Sequence, residues 1–214
     1  MIRTLRPELL DSLPPEHPDA QGSRRDLRLI NRVMGNHRWF ERTLPALLQP
    51  GERVLELGSG EGDLGLRLAA RGAPVDGLDL CPRPATWTTD RAWHAADVRT
   101  FSSFDDYPAI IGNLIFHQFS DDELSILGAH LRRSARVIVA CEPLRCRRSQ
   151  LLLSLLGPVV RANRVTRHDA RVSVAAGFRP GELALRLGLT DGAWRISCSA
   201  TTLGAVRMVA VRNS

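Results

Sequence analysis

From about residue 50 the chain alternates between short apolar runs and longer stretches whose apolar residues recur every three to four positions. The runs at 53–57, 75–80, 92–96, 110–116 and 136–141 predict strands, while 64–71 and 121–133 carry the helical period. Ser120 followed by Asp121, Asp122 and Glu123 makes a helix start, with a side-chain oxygen for the free amides and acids in the first turn. Apolar strands separated by helices imply a mostly parallel sheet covered on both faces, a doubly wound α/β arrangement. Toward the end, 182–187 suggests a short helix. Residues 194–200 and 206–211 alternate like paired strands around Thr202, Leu203 and Gly204, which gives seven strands with an antiparallel partner at the C-terminal side.

Before the first strand the pattern differs. Leu27, Ile30, Val33 and Met34, then Trp39, Phe40, Leu44, Leu47 and Leu48, follow helical spacing, and Gly35 and Asn36 break this into two helices. Residues 1–22, with Pro7, Pro14, Pro15 and Pro18, read as an irregular arm. The expected organisation is that arm and one domain over 23–214, divided into a helical segment (23–48), a core (50–142), an insertion (143–190) and terminal strands (191–214). Within the insertion, 151–158 is a further candidate helix.

The densest chemical signal sits at the end of the first strand, where Val54-Leu55-Glu56-Leu57 runs into Gly58-Ser59-Gly60-Glu61-Gly62-Asp63. Glycines tolerate positive φ and close backbone approach, and the amides of the following helix face a ligand's polar atoms. Asp79, at the end of the second run, lies 21 positions after Gly58, where a ribose-binding carboxylate belongs in a βαβ unit. Gly60-Glu61-Gly62-Asp63-Leu64-Gly65 also fits the dinucleotide fingerprint, but that parse starts the glycines late after the strand and leaves Glu56 and Asp97 without a role.

Glu56-x-Gly58-x-Gly60-x-Gly62 resembles the first motif of the class I S-adenosylmethionine-dependent methyltransferases, over flanks covering roughly 50–142. The resemblance implies a Rossmann-like fold, S-adenosyl-L-methionine as methyl donor and S-adenosyl-L-homocysteine as product. It implies a cofactor site of Glu56, Gly58, Ser59, Gly60, Gly62, Asp79, Leu80, Asp97, Val98 and Asn113, with Asp79 on the ribose and Asp97 beside adenine. It also makes 23–48 a candidate lid over the acceptor, with Met34 and Trp39 facing it; a plain packing pair whose aromatic residues belong to the core is the alternative.

Acceptors of open α/β sheets meet the cofactor beyond the strands' carboxyl ends. Asn113-Leu114-Ile115-Phe116-His117-Gln118-Phe119 resembles the Asn-Leu-x-x-His-His-Phe segment of small-molecule methyltransferases, with Gln118 in place of the second His. It offers Phe116 as an acceptor contact and His117 as a base for a hydroxyl; a histidine that only buttresses the loop is the alternative. Glu142 and Arg145 share the next rim as candidate acceptor contacts, Glu142 for a hydroxyl, although an ion pair from Glu142 to Arg145, Arg147 or Arg148 is the expected arrangement. The stretch 165–183 is similar to bacterial methyltransferases of aromatic or polyketide-type metabolism and makes His168, with Asp169, a second candidate base. Asp169 as a cap on the next turn is the alternative there.

Composition narrows the partners. All 29 basic residues are arginine, and the formal net charge is +6. Because the arginines are scattered, a coding bias is preferred over a phosphate-binding surface, with RNA or protein acceptors kept as the rival to O-methylation of a small phenol, and an inactive cofactor-binding protein as a second rival. Cys81, Cys141, Cys146 and Cys198 have neither metal-ligand nor disulfide spacing, so no metal is expected. No apolar stretch is long enough to span a bilayer and none near the start resembles a signal segment. The expectation is a soluble, cytoplasmic monomer or homodimer.

Overall fold

A computed structural model of the chain describes residues 1–14, 16–150 and 162–213, so the helix expected over 151–158 lies outside the described residues. Seven strands, β1 (Val54–Leu57), β2 (Val75–Asp79), β3 (Trp93–Ala95), β4 (Ala109–Asn113), β5 (Val137–Pro143), β6 (Trp194–Ala200) and β7 (Ala205–Arg212), form one sheet in the order β3-β2-β1-β4-β5-β7-β6. β3, β2, β1, β4 and β5 pair in parallel, while β7 runs antiparallel to both its neighbours. The chain reverses its direction of winding between β1 and β4, which opens a crevice at their carboxyl ends.

Six helices accompany the sheet among the described residues: α1 (Pro18–Met34), α2 (Asn36–Thr43), α3 (Asp63–Ala69), α4 (Asp121–Ser134), α5 (Arg164–Ala176) and α6 (Glu182–Arg186). Gly35, at φ 66, closes α1 and opens α2, the break its sequence implies. Ser120 and Glu123 make the reciprocal capping box at the start of α4. α1 begins at Pro18, inside the segment read as irregular. His17 accepts the Asp19 amide there and Pro18 takes the first helical position, where its missing N–H costs nothing.

The arm before α1 is docked. Arg3 donates to the carbonyls of Ala176, His117 and Phe119, the Thr4 amide donates to Ala175, and the amides of Leu9 and Leu10 both donate to Asp169. α1 reaches α5 through Gly22, where an added Cβ would lie 2.6 Å from Asn163 Nδ2.

Side-chain parity along the strands sorts the sheet into two faces. One carries Leu55, Leu57, Leu78, Ile110, Ile138 and Ala140 against Phe116, Leu124, Leu127, Leu131 and Phe178. The other carries Val54, Val75, Ala109, Ile111, Val137, Val139 and Cys141 against Phe40, Leu44, Leu64 and Leu68. In-register pairing of Val54 with Val75 and with Ala109 extends this second row to Glu56, Asp79 and Asn113 at the carboxyl edge. Glu142 follows Ile138 and Ala140, so it falls on the first face.

Candidate active site

At the end of β1 the chain turns through three glycines with positive φ: Gly58 at 65°, Gly60 at 56° and Gly62 at 78°. A Cβ on Gly58 would come within 2.8 Å of Ile115, and one on Gly62 within 2.6 Å of Trp87, whereas Gly60 faces open space. The first and third glycines are therefore required by packing as well as by φ. The second keeps bare backbone toward whatever enters the crevice.

Asp79 stands opposite. Its Oδ2 accepts the Gly60 amide at 2.8 Å and its Oδ1 accepts the Cys81 amide at 2.9 Å. A carboxylate has about four acceptor positions, so roughly two remain for hydroxyl donors. Leu80 beside it is 71 % exposed, an apolar surface at the mouth of the crevice. Ser59 is structural: its hydroxyl donates to the Glu56 carbonyl and accepts the Leu78 amide, tying the elbow to β2. At the next strand end Asp97 accepts the Arg99 amide at 2.9 Å and pairs with the Arg99 guanidinium, while Val98 is buried in the core.

Glu56 lies under the elbow with 3 % of its surface exposed, and its Oε2 has no hydrogen-bond partner. Burial first, and then the charges of Asp79 and Asp63, push its carboxyl well above the usual range, against a backbone hydrogen bond from Gly65. The neighbouring asparagines are also under-used. Asn31 Oδ1 accepts from Asn113 Nδ2 at 3.0 Å and from Asn36 Nδ2 at 3.1 Å, yet Oδ1 of Asn113 and Oδ1 of Asn36 are buried without partners, as is Nε of Arg207. Leaving a buried polar atom unpaired costs about 1–3 kcal/mol. Four such atoms, on Glu56, Asn113, Asn36 and Arg207, lie on one side of the sheet's carboxyl edge.

At the carboxyl edge of the opposite face the buried charged groups are paired, and the unpartnered Nδ1 of His130 lies elsewhere on that face, beside Phe104. β4 stops at Asn113 because Leu114 takes φ 61, so the strand expected to continue through Phe116 gives way to a turn. Glu142 accepts the amides of Ile115 and Phe116 at 2.9 Å and of His117 at 3.1 Å, and its Oε2 also meets His117 Nδ1 at 2.7 Å. The expected ion pair between Glu142 and a nearby arginine is therefore absent. Arg145 turns away, donating to the Gly177 and Met1 carbonyls and to Glu182 at 2.7 Å. Phe116 is fully buried in the core rather than lining the crevice, because its ring fills the space over Gly112.

His117 is 4 % exposed and sits between Glu142 and Glu8, with Nε2 3.3 Å from Glu8 Oε1. Burial alone would lower its pKa, but the two carboxylates override that and push it up to about 9. As an imidazolium with both nitrogens engaged, it has no lone pair with which to accept a proton at neutral pH. The buttressing alternative fits this histidine.

His168 is arranged differently. Its Nδ1 lies 2.9 Å from Asp169 Oδ1 within α5, and its side chain is 48 % exposed. Asp169 is fixed by the Leu9 and Leu10 amides rather than capping a turn of its own. Met34 and Trp39 are half-buried against the second face; Arg207 donates to the Met34 carbonyl and stacks on the Trp39 ring at 5.3 Å.

Several contacts had no local signal. Arg24 of α1 pairs with Glu61 in the elbow at 3.3 Å, Trp87 packs under Gly62 and Gly65, and Asn31 bridges to Asn113. Each joins segments distant in sequence, and an alternation pattern carries no trace of them. Among the described residues no cluster suits a metal ion, and no helix is long and apolar enough to cross a membrane.

Strand order, the reversed seventh strand and the glycine elbow together define the Rossmann-like fold of the class I methyltransferases. A plantazolicin methyltransferase in complex with a triazolic desmethylPZN analog and SAH superposes with a TM-score of 0.73 at 11% identity, over 96% of this chain and 93% of that one. The magnesium protoporphyrin IX methyltransferase from Synechocystis PCC 6803 with bound SAH gives 0.57 at 17% identity, over 95% and 91%. A possible exported protein from Bordetella parapertussis gives 0.58 at 13% identity, over 85% and 68%. No protein-family model and no curated protein sequence matches the chain. At these identities the likeness is one of fold.

Proposed function

We propose that this chain is an S-adenosylmethionine-dependent methyltransferase acting on a small-molecule acceptor. The observation that carries this reading is the convergence of Glu56, the three positive-φ glycines and Asp79 on one side of the crevice, with Glu56 Oε2 buried and unpartnered. A buried carboxyl without a partner suits a cationic ligand, and a strand-end aspartate with spare acceptor positions suits ribose hydroxyls. The exposed Leu80 side chain suits the flat face of adenine. Asp97 and Val98 would border the same base, and Asn113 Oδ1 would take a donor from the methionine part. The neighbouring structures add support, being named for plantazolicin and magnesium protoporphyrin IX rather than for a nucleic acid or a protein.

The bound cofactor supplies an electrophilic methyl group on positively charged sulfur. The chain's task is alignment and exclusion of water, and alignment is worth about 7–11 kcal/mol in well-ordered cases. α1, tied to the elbow by Arg24 and Glu61, closes the crevice on the side of Met34 and Trp39. For a hydroxyl acceptor, His168 is the base. Asp169 accepts from Nδ1, which leaves Nε2 with a lone pair to receive the proton. His117 is a positioning residue that holds the loop after β4 to Glu142.

Incubation with methyl-labelled cofactor and a cell extract, followed by mass identification of the products, tests the reading. Label in a small molecule is expected; label confined to RNA or protein would overturn the acceptor class. Replacing His168 by Gln is expected to lower turnover by roughly 10²-fold or more. Unchanged turnover would remove His168 from the chemistry.

A further inference from the structure

Outside the crevice, α2, the end of α3 and the turn after it border an open cavity of about 310 Å³ lined by Arg38, Glu41, Arg42, Arg67 and Arg71. The arginines come as two pairs: Arg38 and Arg42, four residues apart on one side of α2, and Arg67 near the end of α3 with Arg71 in the turn that follows it. Like charges at that spacing repel, and here two such pairs face each other. The single carboxylate among them, Glu41, is buried, bonded to Arg67 Nε and, at 3.2 Å, to Arg71 Nη2. Among the described residues no acid pairs with Arg38 or Arg42, whereas Arg53, Arg99, Arg136 and Arg145 all have carboxylate partners. Four guanidinium groups against one carboxylate leave the cavity with a net charge of +3.

His37 stands beside this cluster and adds no charge to it. Burial first, and then the Arg67 guanidinium, hold its pKa below the ordinary value, so the ring is neutral at pH 7. Arg67 uses only Nε and Arg71 only one terminal nitrogen on Glu41, so most of their N–H donors remain available. Planar guanidinium forks bind tetrahedral oxyanions bidentately. The volume equals roughly ten waters' share of liquid, more than a single chloride fills.

We infer that this arginine-lined cavity binds a phosphate-type oxyanion, with a diphosphate group spanning the two arginine pairs. The cavity is separate from the glycine elbow, and this assignment does not depend on methyl transfer.

The test is titration calorimetry on the whole protein at constant ionic strength, with inorganic diphosphate, ADP and sodium sulfate as probes and the double variant Arg38→Gln/Arg42→Gln as control. Both substituted side chains are exposed, so the fold should persist, and unaltered binding of S-adenosylhomocysteine or an unaltered circular-dichroism spectrum checks it. Saturable one-site binding of diphosphate, weakened about tenfold or more in the double variant, is expected, since two charge-assisted contacts are lost. ADP binding as tightly as diphosphate would assign the natural source to a nucleotide, and diphosphate alone to a free anion. Equal binding by variant and wild type, or no response beyond that of sulfate, would overturn the site. So would an oligoribonucleotide that engages these arginines while diphosphate does not.

Discussion

The two faces of the sheet end very differently at their carboxyl edge. On one, Glu142 accepts three consecutive amides and a histidine, His117 is clamped between two carboxylates, and the arm covers the result. On the other, Glu56, Asn113, Asn36 and Arg207 bury polar atoms without partners around a glycine loop. Both sets are buried and both contain charge, so burial and charge alone do not identify a ligand site. Satisfaction does. The saturated network holds the chain's shape, and the unsaturated one is where the proposed cofactor would complete the hydrogen bonding.

Replacing Glu142 by Ala removes four hydrogen bonds and the nearer of the two carboxylates on His117, so it should lower unfolding stability by about 3–5 kcal/mol in urea denaturation. A loss under about 1 kcal/mol would mean the first face is not the structural one. The matching change on the second face should act on binding instead. Asp79→Ala is expected to weaken S-adenosylhomocysteine by about 1.5–3 kcal/mol in calorimetry while lowering unfolding stability less than Glu142→Ala does, since its two amide bonds lie at the exposed edge. Loss of stability with unchanged affinity would reverse the comparison.

A pH titration separates the faces again. The folded His117 pKa of about 9 lies above the ordinary 6.5, so its contribution to stability is complete below about pH 6.5 and disappears as pH rises through 9. A fall on the order of 2 kcal/mol between pH 7 and pH 10 is expected, and His117→Gln should flatten it. A wild-type curve no steeper than the variant's would refute the clamp. The smallest effect belongs to Gly60→Ala. With open space around its Cβ, only the positive φ is penalised, by about 1 kcal/mol in thermal unfolding. A much larger loss would mean that the second glycine, too, is packed.

The parts of this contrast that could be read in the sequence are those built from neighbouring residues. The elbow, the Asp79 spacing, the Ser120 cap, the Gly35 break and the final pair of strands each follow from local chemistry or a period of two or 3.6. Glu142 could not be read so. Near Arg145, Arg147 and Arg148 it resembles half of an ion pair, and only the approach of the β4 turn, forced by Leu114 at positive φ, supplies three amides instead. The same holds for His117, whose partner Glu8 is 109 positions away. Pro18, one of four prolines suggesting an irregular arm, opens a helix because His17 caps it.

Calorimetric titration of the purified chain with S-adenosylhomocysteine bears most directly on the unsaturated face. One-site binding is expected, weakened by Asp79→Ala and unaffected by Arg38→Gln/Arg42→Gln. Absence of binding by the intact, folded chain, together with uptake of a nicotinamide dinucleotide, would contradict it.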